Sequence, residues 1–177
     1  TYIPWLTMNY TGRYKGQQID GEVPLSVSNF LYQTTGIPFE TIGSIPAGNS
    51  DSALENTVRT LVGVQLDFYP GLRHSYATIN YDVLGLLIQT VSGMSYEEFI
   101  TQRILAPLGL FDTYVGQQAV EAAGQSERMA QGYKMQFFSS VAYDPPQYRG
   151  NTPAGYVISS ARDMAKWMQL QMGLVDA

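Results

Sequence analysis

Apolar residues recur at helical spacing in five stretches of this chain, each bounded by residues that cap or break helices. The first runs from Val27 to Thr34 behind Ser26, with Val27, Phe30 and Leu31 apolar and Gly36 as its stop. The second spans Ala53 to Val62 behind Asp51-Ser52, puts Leu54, Val58, Leu61 and Val62 on one face, and ends at Gly63. The third has the clearest period: Ile79, Val83, Leu84, Leu87, Ile88 and Val91, closed by Gly93. The fourth opens with a capping box, Ser95 and Glu98, carries Phe99, Ile100 and Ile104, and stops at Pro107. The fifth starts at Ser159 or Ser160 and repeats Met164, Met168 and Met172, a stripe that reads as core.

Between these lie long connections rich in Pro and Gly, at 36–50 and 144–156. Residues 132–143 (GYKMQFFSSVAY) hold enough aromatic and β-branched content for one short β-hairpin. Residues 1–25 show little period and read as an irregular lead-in. The expected architecture is mainly α, a single domain over 1–177 with long loops and room for that one hairpin. The chain opens on Thr1 and reads as a piece of a longer polypeptide.

Composition narrows the function. Hydrophobic residues make up 45% of the 177, but charged residues only 14%, against roughly 25% in an average domain, so the surface must lean on Gln, Asn, Ser, Thr and Tyr. That habit is common in exported bacterial proteins. The net charge of −5 offers no basic stripe for phosphates and argues against a nucleic-acid partner. The longest apolar run, Val83 to Ile88, is too short to span a membrane. There is no cysteine, hence no disulfide framework and no thiolate chemistry.

The catalytic inventory is short. His74 is the sole histidine and reads as a turn residue. There is no Gly-x-Ser-x-Gly, no phosphate-binding Gly loop and no zinc-ligand spacing, so no metal and no cofactor is expected. The lysines are Lys15, Lys134 and Lys166, preceded three positions earlier by Gly12, Gln131 and Asp163, so Ser-x-x-Lys is absent as well. Glu97 and Glu98 read as helix-dipole and capping residues, Asp163 as a cap partner, and Ser159 and Ser160 as N-caps.

Three phrases nonetheless resemble one family at its order and spacing: PLSVSNFLYQTTGIP, then PGLRHSYATINYDVLGLLIQTVSGMSYEEFITQRILAPLGLFDT, then PAGYVISSARDMAKWMQ. The resemblance is to the serine β-lactamase-like proteins, which include class C β-lactamases, low-molecular-weight penicillin-binding proteins and related esterases and D-amino peptidases. It implies a β-lactamase/transpeptidase-like fold of which this chain is the helical subdomain. The Ser-x-x-Lys nucleophile motif and the Lys/His-Thr-Gly strand would then lie outside the chain. It also implies acyl transfer through an acyl-serine, on peptidoglycan-like peptides, β-lactams or related amides and esters, at an extracellular or cell-envelope location.

Within that resemblance Tyr76 falls on the tyrosine of the Tyr-x-Asn motif, the general-base position. A free phenol near pKa 10 needs a neighbouring ammonium for that task, which the family's lysine would supply. Thr78 takes the place of the motif's Asn as the substrate-side contact. Its hydroxyl cannot match an amide's paired donor and acceptor. Gln33 stands where the family often has histidine and reads as a packing residue. Without its nucleophile the chain is expected to be inactive. The alternative is a non-catalytic binding or regulatory module on the same scaffold.

Overall fold

A computed structural model describes residues 2–144 and 146–174. Its secondary structure runs β1 (Asn9–Tyr14), β2 (Gln17–Glu22), α1 (Val27–Leu31), α2 (Ala53–Arg59), α3 (Ile79–Ser92), α4 (Tyr96–Ile100), β3 (Tyr114–Val115), α5 (Gln117–Ala122), β4 (Tyr133–Gln136), β5 (Ser139–Ala142), α6 (Thr152–Gly155), β6 (Val157–Ile158) and α7 (Ala161–Gln171). Short 3-10 segments join several of these, and a π turn over Thr101–Leu105 extends α4.

The fold is mixed α/β, and the mainly α expectation is corrected accordingly. Helix accounts for 40% and strand for 16% of the structure, with β1–β2, β3–β6 and β4–β5 each forming a two-stranded antiparallel sheet. The first hairpin occupies most of the stretch read as an irregular lead-in. Its inward positions are Tyr10, Gly12, Tyr14, Ile19 and Gly21, a period of two in which glycines stand where apolar side chains would have announced a strand. Gly12 is required there: a Cβ would lie 2.4 Å from the Tyr10 hydroxyl, whose ring covers that position. Tyr14 in turn stacks on Tyr69 at 3.7 Å, tying the hairpin to the loop that leads into α3.

The helices keep their places but not all their lengths. Ser26 and Asn29 form a reciprocal capping box, yet α1 stops at Leu31, because Gln33 takes up a left-handed backbone (φ 56°) three residues before the left-handed Gly36. The helix α3 ends on a left-handed Gly93, and Ser95 and Glu98 cap α4 as their spacing requires. Met164, Met168 and Met172 are 46%, 58% and 66% exposed, so the stripe read as core faces outward. The buried position of α7 is Asp163, which accepts from the Asp112 backbone N–H at 2.7 Å and from Thr113 Oγ1 at 2.9 Å.

The main core sits between α1, α2, α3 and the first hairpin, built from Met8, Phe30, Val58, Leu61, Ile79, Val83 and their neighbours. A smaller cluster of Leu105, Leu110 and Val115 lies beyond α4. On its other side α3 meets α6 at a close approach: Gly85 leaves room for the Pro153 ring, and a Cβ there would fall 2.2 Å from Pro153 Cγ.

Candidate functional site

The segment 74–77, just ahead of α3, belongs to no helix or strand. It is held by the turn after α1 instead. The Ser75 N–H donates to the Gln33 carbonyl at 2.8 Å, and the Ala77 N–H donates to Gln33 Oε1 at 2.9 Å. Asn80 Nδ2 donates to the same Oε1, while Asn80 Oδ1 accepts from Thr35 Oγ1 at 2.9 Å. Gln33, Thr35, Ala77, Ile79 and Asn80 are all buried, so this polar network is sealed beneath the segment.

Tyr76 points the other way. It is 54% exposed, with its ring 6.4 Å from that of Phe39, and Thr78 Oγ1 donates to its phenol oxygen at 3.4 Å. The two residues singled out from the sequence therefore stand side by side. His74 is exposed. The lysines are engaged elsewhere: Lys15 lies over the Tyr14 ring, Lys134 over the Tyr143 ring, and Lys166 donates to the Gly109 carbonyl and lies 3.5 Å from Asp163. Thus the ammonium that an acidified phenol requires is not supplied to Tyr76 by any of them.

A second group of ionisable residues, of which only Glu97 is marked by the sequence, gathers on the side of α3 that meets α6. Asp82 is fully buried, and burial pushes its carboxyl up to about 8, with the Ala154 backbone N–H opposing the shift. With its amide nitrogen turned inward, Asn151 Nδ2 donates to Asp82 Oδ2 at 2.7 Å. Burial also raises the Tyr96 phenol, and the Asp82 and Glu97 charges add to it. Close by is a cavity of about 540 Å³, lined among others by Tyr96, Glu97, Tyr148, Arg149 and Tyr156. Glu97 is more than a dipole residue: Arg149 Nε donates to it at 2.8 Å and Arg149 Nη1 to Asp51 at 2.7 Å. Glu98 stays in the capping box, where the Ser95 hydroxyl and N–H hold its carboxyl below the usual range.

The family profile described as Beta-lactamase matches residues 1–177. The chain belongs to the β-lactamase family. Among curated relatives, Protein flp of Staphylococcus aureus strain N315 is 30% identical over 175 residues, covering 99% of this chain and 33% of that protein. Among solved structures, the octameric penicillin-binding protein homologue from Pyrococcus abyssi superimposes with a TM-score of 0.66 at 28% identity, over 86% of this chain and 36% of that one. The D-amino acid amidase from Ochrobactrum anthropi gives a TM-score of 0.63 at 26% identity, over 85% of this chain and 45% of that one. This member of the β-lactamase family thus spans about a third of the curated relative's length.

Two contributors to the site escaped the sequence reading. Gln33 reads as a packing residue in the sequence, because its partners lie 44 and 47 residues away along the chain. Asp82 did carry a signal, since it falls on the same helical face as Ile79, Val83 and Leu86.

Proposed function

We propose that this chain carries one wall of the cleft of a longer acyl-serine hydrolase of the β-lactamase family. Its substrates are peptidoglycan peptides, β-lactams or related amides and esters. In that enzyme a serine oxygen outside this chain attacks the acyl carbonyl and its proton passes to the Tyr76 phenolate. The proton then moves to the departing amine or alkoxide, leaving the acyl-serine ester for water to cleave. Thr78, beside Tyr76, contacts the substrate. A lysine of the same longer polypeptide acidifies the phenol, and an extracellular or envelope location brings it to such substrates. No helix among the described residues is long and apolar enough to cross a membrane.

The observation that carries this reading is the Tyr76 phenol, turned outward on a backbone fixed from behind, with the Thr78 hydroxyl at 3.4 Å. The amidase and the penicillin-binding protein homologue among its structural neighbours support the substrate class. A labelled penicillin and a p-nitrophenyl ester test it. The full-length protein is expected to form a covalent adduct or hydrolyse the ester, and Tyr76→Phe to slow acylation by about 10²–10⁴-fold. The 177-residue chain alone should capture none; stoichiometric capture by it would overturn the reading.

A second reading, a binding or regulatory module without catalysis, is favoured by Thr78 standing where an asparagine amide would hold the substrate. The flanking reading frame separates the two. Ser-x-x-Lys upstream with Lys/His-x-Gly downstream selects the hydrolase, and their absence selects the module.

A further inference from the structure

We infer that Gln33 is the positioning residue of Tyr76, an inference that rests on the proton-transfer role proposed for that phenol. Gln33 grips the backbone on both sides of Tyr76 at once, its carbonyl taking the Ser75 N–H and its side-chain oxygen the Ala77 N–H. In an extended segment alternate residues face opposite ways, so tying 75 and 77 inward turns 76 outward. The burial follows the same alternation: Ala77 is 1% exposed and Tyr76 54%. Asn80, in the first turn of α3, donates to the same Gln33 oxygen and accepts from Thr35, whose Oγ1 also accepts from the Ile37 N–H. One amide oxygen therefore fixes the phenol's direction relative to the helix and to the 35–37 loop beside Phe39.

Two details separate this role from packing. Gln33 holds a left-handed backbone (φ 56°), a conformation glycine adopts freely, so a residue chosen for the turn alone would not be a glutamine. Moreover, the Gln33 Nε2 is buried with no partner among the described residues, so the side-chain bonds fall on Oε1 alone. What the position needs is an acceptor. A glutamate supplies one, and a methionine of similar volume offers only a weak thioether sulfur.

The experiment uses the full-length protein and its ester or penicillin substrate. Gln33→Met is expected to lower kcat about 10–100-fold with little change in KM, as loss of alignment does. Gln33→Glu should retain most of kcat, and Gln33→Met/Tyr76→Phe should be no slower than Tyr76→Phe alone. Equal losses in the Met and Glu variants, or losses that add in the double variant, overturn the inference. Amide hydrogen exchange provides a readout independent of catalysis: Ser75 and Ala77 should exchange faster in Gln33→Met, and unchanged exchange there overturns the clamp. If Tyr76→Phe keeps full activity while exchange still accelerates, the proton-transfer role of Tyr76 fails and the clamp stands. Should Gln33→Met not fold, Gln33→Gly, which relaxes the turn and also removes the acceptor, carries the same comparison.

Discussion

A carboxyl group sealed between α3 and the turn before α6 must give up either its charge or its hydration, and Asp82 gives up its charge. Unfolded, it loses its proton near its ordinary value of 3.8; folded, it keeps that proton until about pH 8. Between those limits the unfolded chain binds fewer protons than the folded one, so stability falls as pH rises through the window and levels off above it. Asp82→Asn removes the titration while leaving groups for Asn151 and the Ala154 N–H to meet. Its thermal midpoint is expected to match the parent near pH 4 and exceed it near pH 8, flattening the slope between. Thermal unfolding of both proteins across pH 4–9 checks this, and parallel curves would refute it. Gln33 and Asp82 show what a residue-by-residue reading misses. The first owes its role to partners brought close only by folding. The second could be flagged by its place on the apolar face of α3, because a lone acid there must be neutral or paired.

Elements were legible wherever burial writes a period into the sequence. The helix α3 and the capping boxes of α1 and α4 follow from local rules, since their signals lie within one or two turns. The first hairpin was missed because its inner face uses Gly12 and Gly21, and its exposed strands are polar on the other. The end of α1 was misplaced because a glutamine did the work of a glycine. The meeting of α3 with α6 is similarly silent in sequence: Gly85 reads as a weak point, since glycine inside a helix costs about 1 kcal/mol against alanine. Here the propensity gain from Gly85→Ala is outweighed, because the new methyl would press on Pro153 and overpacking costs about 1–3 kcal/mol. The variant should therefore unfold at lower denaturant concentration, by up to about 2 kcal/mol in free energy. A rise in midpoint would mean that α6 simply moves aside.

At the scale of the molecule, three small sheets and seven helices among the described residues enclose one principal core and leave the far helix thinly packed. The α7 helix meets the rest of the chain mainly through Asp163, Lys166 and Leu170, while its methionines look outward. Their period gave the helix correctly and its orientation wrongly, since a stripe says that a face is apolar without saying what lies against it. The consequence is chemical as well as geometric. Thioether sulfur takes up oxygen from dilute peroxide at a rate set largely by access. Met164, Met168 and Met172 in the 177-residue chain should oxidise quickly, with Met8, 1% exposed, lagging as an internal clock. In the longer polypeptide proposed above the three should slow towards the pace of Met8, and equally fast oxidation would show that nothing folds over them. The sulfur row on α7 is in that sense a gauge built into the protein: its mass shift reports how much of a longer polypeptide has come together.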